Sequence, residues 1–235
     1  MIYITGDLHG DIDIAKLLDE NFMQHVTADD YVIICGDFGL VWKTYEDETE
    51  KEWLDFLEEA PYTTLFIDGN HENFYRLYHD YPTVFINGGL AHQIRPSIYH
   101  LMRGQIFTIE HKTFFTMGGA TSIDRFLRIE GKSWWARELP NETEYKQALI
   151  NLMKHHNHVD YVLTHCLPTS LQSRLPKYTL PDDLTEFLER ISHILHFKKW
   201  YCGHYHLDTT LEGRYRVLYN DIISIENEIY TDDIE

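Results

Sequence analysis

The sequence GDLHGD at residues 6–11 follows directly after a short strand that we predict at residues 3–5. Asp7 and His9 lie two positions apart, and in an extended stretch of chain such side chains point to the same side. The glycines that border them permit a tight turn and a close approach of the backbone. This segment therefore presents one carboxylate and one imidazole together at the end of the first strand.

Similar residue types follow four later strands of the predicted fold. The segments are GDFG at 36–39, GNHE at 69–72, His165, and GHYH at 203–206. They come after strands that we predict at 31–35, 64–67, 161–164 and 199–202. Because ligands of open α/β sheets bind beyond the carboxyl ends of the strands, the five loops should meet at one edge. The candidate ligands at that edge are Asp7, His9, Asp37, Asn70, His165, His204 and His206.

The donor types at these strand ends indicate a metal site. Taken singly, Gly-Asp is a common turn, Asn70-His71 could cap a hairpin or helix, and His165 could be a hydrogen-bonded core histidine. The succession of five such strand ends favours metal binding instead. Oxygen and imidazole donors suit Mn²⁺, Fe or Zn²⁺ better than a thiolate site would. Seven donors are too many for one tetrahedral ion, but they fit two ions that share a carboxylate, about 3.5–4 Å apart.

The order of strands and helices predicts an α/β (α+β) fold. In the first half, helices predicted at 11–23, 46–60 and 72–80 separate the strands, which indicates a parallel core with helices packed on it. The middle changes character, because three consecutive strands follow one another with turn signals between them. These strands, at 98–102, 105–109 and 113–117, are expected to pair antiparallel.

The remainder of the chain continues the same mixture. Helices predicted at 142–155 and 182–196 each precede a strand, and two final strands are expected within 214–225. About ten strands are too many for one flat layer, so we predict two stacked, mixed β-sheets flanked by helices. We find no linker and no internal repeat, and we therefore expect a single domain over residues 1–235.

Composition limits the classes of partner. The chain has 20 Lys and Arg against 38 Asp and Glu, a formal net charge of −18, so we expect no duplex nucleic acid and no anionic membrane as partner. It contains no apolar run of the roughly 20 residues that cross a bilayer. Because its start passes straight into a predicted strand, we expect no signal peptide. Cys35, Cys166 and Cys202 are odd in number and far apart. They are typical of reduced thiols in a cytoplasmic protein.

Taken together, GDLHGD, GDFG, GNHE, the Thr164-His165 pair and GHYH resemble the sequence blocks of the calcineurin-like metallophosphoesterases. This superfamily comprises dinuclear metal phosphatases and phosphodiesterases, and the blocks span residues 6–206 here. The resemblance implies a four-layer αββα sandwich with the metal centre between the sheets. It implies two divalent metal ions per chain, with Mn favoured and Fe, Zn, Ni or Co as alternatives. One ion would take Asp7, His9, Asp37 and His206, and the other would take Asp37, Asn70, His165 and His204.

The same resemblance implies the reaction. A metal-bridging hydroxide would attack phosphorus in line, and His71, beside the metals, would donate a proton to the leaving oxygen. A phosphomonoesterase is favoured, acting on a phosphorylated small molecule, a nucleotide or a phosphoprotein. The alternatives are a phosphodiesterase that uses the same site, or a catalytically silent metal-binding scaffold that acts as an interaction protein. Because every ligand position and His71 are present, the sequence favours the enzyme.

Two departures from known branches concern position 40. The serine/threonine protein phosphatases carry an Asp there that pairs with the catalytic histidine, and purple acid phosphatases carry a tyrosine ligand. This chain has Leu40, and it also lacks the phosphate-binding arginines that the former branch places near blocks two and three. Neither branch therefore describes it.

The segment 118–138 is a candidate replacement for the missing arginines. Arg125 or Arg128 could grip a phosphate with two hydrogen bonds, or could instead pair with surface carboxylates. Trp134 or Trp135 could stack on an aromatic part of a substrate, although core packing is the favoured role for both.

Overall fold

The structure, a computed structural model, describes residues 1–176 and 180–226. The predicted single domain, residues 1–235, extends beyond these ranges at 177–179 and 227–235. The strands of the described part are β1 (Ile2–Thr5), β2 (Tyr31–Cys35), β3 (Thr63–Ile67), β4 (Thr83–Ile86), β5 (Gly89–Arg95), β6 (Ile98–Leu101), β7 (Gln105–Ile109), β8 (Lys112–Met117), β9 (Tyr161–Thr164), β10 (Lys199–Cys202), β11 (Thr209–Leu211), β12 (Tyr215–Val217) and β13 (Ile222–Ser224). Its α-helices are α1 (Glu20–His25), α2 (Glu48–Glu59), α3 (Phe74–His79), α4 (Glu142–Lys154), α5 (Thr169–Gln172) and α6 (Asp183–Ser192).

The strands form two mixed sheets. The first has the order β13-β1-β2-β3-β6-β5-β4, and the second has the order β11-β12-β10-β9-β8-β7. Each sheet has a parallel centre, formed by β1, β2, β3 and β6 in the first and by β12, β10, β9 and β8 in the second. Antiparallel strands close the edges.

Alternate residues of the central strands belong to different layers of the core. In β2, Val32 and Ile34 pack in the cluster that includes helix residues such as Leu54, whereas Ile33 packs in a cluster shared by both sheets. In β9, Val162 likewise contacts the helix-covered cluster, while Leu163 lies in the cluster between the sheets. Strands buried on both faces are expected in such a structure. The layers are therefore helix, sheet, sheet and helix, as predicted.

The prediction of one continuous helix over 11–23 is wrong. The chain forms a 3₁₀ turn at Ile14–Leu18 and then starts α1 separately. Asp19 causes the break, because its side chain accepts a hydrogen bond from the backbone N–H of Phe22 at 3.0 Å and so caps a new helix.

The predicted antiparallel pairing of the strands at 98–102 and 105–109 is also wrong. Strand β6 lies in the first sheet and β7 in the second, so the chain crosses between the sheets at residues 102–104. The crossing is fixed by Arg103, which is buried and donates from Nε to Asp68 Oδ2 at 2.8 Å. The expected hairpin between β7 and β8 is confirmed, with Glu110 and His111 in its turn at φ values of 47° and 63°.

The sequence interpretation missed a second hairpin, formed by β4 and β5. Its turn is Asn87-Gly88, with φ values of 50° and 91°. Asn-Gly is a strong signal for such a turn, but the polar residues of β5 obscured the strand pattern. It also missed β11 and the short helix α5.

The buried Asp68–Arg103 ion pair should contribute strongly to stability. Replacing Arg103 by Leu leaves the Asp68 carboxylate buried with only His100 Nε2 at 3.0 Å as a side-chain partner. Loss of one partner from a buried pair costs about 3–5 kcal/mol, so we expect urea unfolding to show a loss of that size. Lys146→Leu, which breaks the exposed Lys146–Glu142 pair, is the control and should cost less than about 1 kcal/mol. Equal effects of the two variants would contradict a special role for the buried pair.

Candidate metal centre

The carboxyl ends of β1, β2, β3, β9 and β10 meet between the two sheets. They bring together the seven residues that we predict as ligands from the sequence. Several histidine nitrogens lie close to the carboxylate oxygens of Asp37 and Asp7. His9 Nε2 lies 3.2 Å from Asp37 Oδ2, and His165 Nε2 lies 3.3 Å from Asp37 Oδ1. His206 Nε2 lies 3.3 Å from Asp7 Oδ2. The ring centroids of His204 and His165 lie 4.9 Å apart.

Three sets of histidine and carboxylate atoms each lie within 4.8 Å of one another. Asp7, His9 and His206 form one set, which contains three of the four ligands that the family resemblance implies for one ion. Another set joins His165 to both carboxylates, and a third joins His71 to His9 and Asp37. The ring of His71 thus lies beside the candidate metal ligands.

Four of the predicted ligands adopt a backbone conformation that is unfavourable for side-chain-bearing residues. The φ angles are 46° at His9, 49° at Asp37, 68° at His204 and 52° at His206. Such residues cost about 1–3 kcal/mol each and persist where the surroundings determine them, most often at functional sites. Their presence at four of the predicted ligands is consistent with a functional role for these loops.

Hydrogen bonds between the loops hold these conformations. The backbone N–H of His9 donates to the carbonyl of Asp37 at 2.8 Å. Asp37 Oδ1 in turn accepts from the backbone N–H groups of Asn70 and His71 at 2.7 and 2.8 Å, and Asp7 Oδ1 accepts from that of His204 at 2.9 Å. Each carboxylate therefore positions another ligand-bearing loop and still has its second oxygen facing the centre.

Three buried polar atoms at the centre make no hydrogen bond within the described residues: Asp7 Oδ2, Asn70 Oδ1 and His165 Nε2. His165 Nδ1 lies 2.7 Å from the carbonyl oxygen of Cys35, which requires that Nδ1 carries the proton. Its Nε2 faces the Asp37 carboxylate at 3.3 Å, so this atom needs either a second proton or a bound cation. Because buried polar groups are normally satisfied, this set of donors fits bound cations.

His9 is oriented in the same manner. Its Nδ1 lies 2.7 Å from Asp13 Oδ2, which leaves Nε2 facing Asp37. The other oxygen of Asp13 accepts from the Tyr219 hydroxyl at 3.1 Å, and the Tyr219 ring stacks on His206 at 4.7 Å. Metal-binding histidines commonly carry such carboxylate partners. Sequence reasoning missed Asp13 and Tyr219, because neither belongs to a recognisable motif.

The buried charges shift the pKa values of the centre. Burial alone would raise the pKa of Asp7 and of Asp37, but the surrounding histidines lower both below the usual range. Burial would lower the pKa of His9 and of His165, but Asp37 and Asp7 raise these values to about 9 and about 10. Burial and the neighbouring His165 lower the pKa of His204 to about 4. The carboxylates are thus ionised and favour positive charge beside them.

His71 contacts both the aromatic ring of Trp42 and the charged side chain of Arg128. Its ring stacks on Trp42 at 5.3 Å and an interplanar angle of 24°, and its Nε2 lies 3.4 Å from Arg128 Nη2. Burial lowers the pKa of His71, Asp37 opposes this shift, and His9 and Arg128 add to it. Sequence reasoning missed Trp42, although it lies only two positions after Leu40.

Asp68 and Glu72, the acidic residues near His71 in the sequence, are buried and bind other partners. Asp68 pairs with Arg103 and His100. Glu72 is buried and accepts from the backbone N–H of Phe38 at 2.9 Å and from that of Gly69 at 3.3 Å.

Two cavities meet at the centre. One of about 390 Å³ and one of about 660 Å³ share His9, Ile12, His71 and Arg128 in their walls. The larger cavity also contains Asp37, Asn70, His204 and His206. A substrate with its reacting group at the centre could therefore extend to either side of His71.

The residues of segment 118–138 differ in their relation to the cavities. Arg128 is held by Asp124 at 2.7 Å and lines both cavities, whereas Arg125 is exposed and lines neither. Trp135 is buried and packs edge-on against Trp42, while Trp134 is half-buried and also absent from the cavity walls. Of the four side chains considered from sequence, only Arg128 contacts His71 within the described residues.

Comparison with known proteins agrees with this site. The sequence model of the family described as calcineurin-like phosphoesterase matches residues 1–208, and the chain belongs to that family. Its members are metal-dependent phosphoester hydrolases, and the Asp and His groups between the sheets are the candidate metal ligands of this chain. No curated protein matches it. Among the described helices, none combines the length and apolar character needed to span a membrane.

Metal binding should release protons. Because the pKa values of His9 and His165 are raised to about 9 and about 10, both rings are cationic at pH 7.5 when no metal is bound, with a proton on each nitrogen. An entering ion must displace these protons, so the affinity for Mn²⁺ should rise as the pH rises, by about tenfold per pH unit for each proton displaced. Calorimetry of Mn²⁺ binding in two buffers of different ionisation enthalpy counts the protons.

His204→Ala is the control for this count. The pKa of His204 is lowered to about 4, so this ring is already neutral at pH 7.5 and can bind a metal without losing a proton. The variant should bind Mn²⁺ more weakly but release as many protons as the wild type. Binding of Mn²⁺ by the wild type without proton release would show that His9 and His165 are neutral in the metal-free protein, contrary to this prediction.

Proposed function

We propose that the protein is a dinuclear metal-dependent phosphoester hydrolase that acts on phosphomonoesters. The observation that carries the proposal is that buried atoms of Asp7, Asn70 and His165 lack a hydrogen-bond partner, while Asp7, Asp37 and His165 offer ligand atoms within 4.8 Å of one another. Two divalent cations, Mn first among the candidates, would occupy this centre. We assign Asp7, His9, Asp37 and His206 to one and Asp37, Asn70, His165 and His204 to the other.

When bound, the cations would neutralise phosphate oxygens and supply an acidified water as the nucleophile. Asp37 would lie between them, because its two oxygens face different histidines, His9 and His165. Asp13 and the Cys35 carbonyl would keep the Nε2 atoms of His9 and His165 aimed at the centre. The protein thus contributes fixed donor positions, which is the main requirement for electrostatic catalysis.

His71 would supply the proton that the leaving oxygen needs. Its Nε2 faces Arg128 in the free protein, and its pKa is lowered, so this atom accepts a hydrogen bond from the guanidinium. An incoming phosphate would attract Arg128 to its oxygens and would favour the protonated form of His71. Nε2 could then hold a proton and donate it to the departing alcohol.

The cavities support a compact substrate. A volume of about 660 Å³ beside the centre suits a phosphorylated small molecule or a nucleotide, and a phosphorylated side chain of a protein is the third candidate. The second cavity supports the alternative of a phosphodiester, because it leaves room for an organic group on the other side of His71. The three buried free thiols support a reducing, cytoplasmic location.

Hydrolysis by the metal-stripped protein, supplied again with Mn²⁺, tests the proposal. We expect turnover of p-nitrophenyl phosphate to exceed that of bis-p-nitrophenyl phosphate, and Asp37→Asn to abolish it. The reverse preference would favour the diesterase. Binding of two Mn²⁺ without turnover of either ester would favour the silent scaffold, and absence of metal binding would refute the proposal.

Removal of the His71 imidazole should depend on the leaving group. We expect His71→Ala to reduce kcat by about 10²–10⁴-fold on phenyl phosphate, because the phenolate departs poorly without a proton. On p-nitrophenyl phosphate the loss should be much smaller, since that leaving group needs little protonation. Steady-state kinetics with both esters, at unchanged Mn²⁺ stoichiometry, provide the measurement. An equal loss on both esters would contradict a role as proton donor.

Arg125 and Arg128 of segment 118–138 should have different effects in the same assay. Arg128 lies beside His71 Nε2, so Arg128→Ala should raise KM by about 10–100-fold through loss of a charged hydrogen bond. Arg125 is exposed and outside both cavities, so Arg125→Ala should leave KM near the wild-type value. A larger effect of Arg125→Ala would reverse this assignment.

A further inference from the structure

Asn70 has a hydrogen-bond partner outside the five sequence blocks that predict the ligands. Its amide Nδ2 lies 3.3 Å from Ser122 Oγ, in the segment that follows β8, 52 positions along the chain. Ser122 Oγ lies 2.9 Å from Glu138 Oε1, and the backbone N–H of Ser122 donates to Glu138 Oε2, also at 2.9 Å. All three residues are buried, with exposures of 5% for Asn70, 2% for Ser122 and 4% for Glu138.

The direction of these bonds fixes the orientation of the amide. A serine hydroxyl has one proton, and here it goes to the Glu138 carboxylate. The Ser122 oxygen is then an acceptor toward Asn70, so it must face the NH₂ group and not the carbonyl oxygen. Asn70 Oδ1 is consequently turned away from Ser122, and it is one of the three unpaired buried atoms at the centre.

The chain of bonds rests on a rigid support. Arg103 Nη2 donates to the backbone carbonyls of Arg137 and Glu138 at 2.9 and 3.2 Å, and the same guanidinium pairs with Asp68. Asp68 lies two positions before Asn70, and its carbonyl accepts from the N–H of Gly119 at 2.8 Å. The Asn70 loop and the Ser122–Glu138 segment are therefore connected at both ends.

We propose that Ser122 and Glu138 are positioning residues that select the metal-binding orientation of the Asn70 amide. An amide flipped by 180° would present NH₂, which cannot coordinate a cation, so the chain of bonds keeps the oxygen toward the metal. The inference rests on the proposed function, because it concerns one of the two ions. Outer partners of this kind contribute about 10–100-fold to metal affinity.

Titration of the metal-stripped full chain with Mn²⁺, against a fluorescent chelator, tests the proposal without reference to activity. Ser122→Ala should weaken one of the two Mn²⁺ sites by about 10–100-fold and leave the other unchanged. Thr121→Val is the matched control, because it removes the neighbouring hydroxyl, which bonds to Asp182 at 2.6 Å and not to Asn70. It should retain both affinities. Thermal unfolding of each metal-free variant verifies that it is folded.

A second variant protein, Asn70→Asp, separates loss of the amide orientation from a general disruption of the site by Ser122→Ala. Asp in place of Asn70 has two oxygens and no NH₂ group, so its orientation needs no selection. In the Asn70→Asp protein, adding Ser122→Ala should change Mn²⁺ affinity by less than about threefold, compared with 10–100-fold in the wild-type background.

The outcomes distinguish the inference from the proposed function. Two tight Mn²⁺ sites in Ser122→Ala, or equal losses in the Asn and Asp backgrounds, would overturn the inference and leave the hydrolase intact. A wild-type protein that binds no Mn²⁺ would overturn both.

Discussion

Two carboxylates, Asp7 and Asp37, are buried between the sheets, with exposures of 0% and 2%. Within the described residues, neither forms an ion pair with a lysine or arginine, and only histidine nitrogens lie within 4 Å of them as ion-pair partners. Two buried negative charges must be compensated, because isolated charges are very costly in a protein interior. Protons on His9 and His165 do so without metal. In the proposed enzyme, metal cations would replace these protons and compensate the same two carboxylates.

The fold supplies this convergence through the similarity of its two sheets. Each has a parallel centre, and the carboxyl ends of β1, β2 and β3 in one sheet face those of β9 and β10 in the other. The left-handed residues at these ends, such as His9 and Asp37, turn the chain sharply enough to bring side chains from both sheets within 4.8 Å. The Asp68–Arg103 pair fixes the crossing between the sheets, so that the same interaction supports the fold and the Asn70 loop.

The sequence predicts the layers and the convergence of the five strand ends, because strand ends with Gly, Asp and His are local features. It fails where the decisive partner is distant in the chain. The antiparallel pairing expected before residue 105 is wrong because Arg103 bonds to Asp68, 35 positions away. Trp42 against His71 and Ser122 against Asn70 are likewise contacts across loops, and no spacing rule reveals them. Asn87-Gly88 is different, since this turn was visible in the sequence.

Anomalous diffraction from crystals soaked in Mn²⁺ tests the dinuclear centre most directly, because it locates the ions without reference to any substrate. We expect two peaks about 3.5–4 Å apart. They should lie on either side of the Asp37 carboxylate, with one next to Asn70 Oδ1 and the other next to His9 Nε2. A single peak, or peaks away from Asp37, would contradict the dinuclear centre.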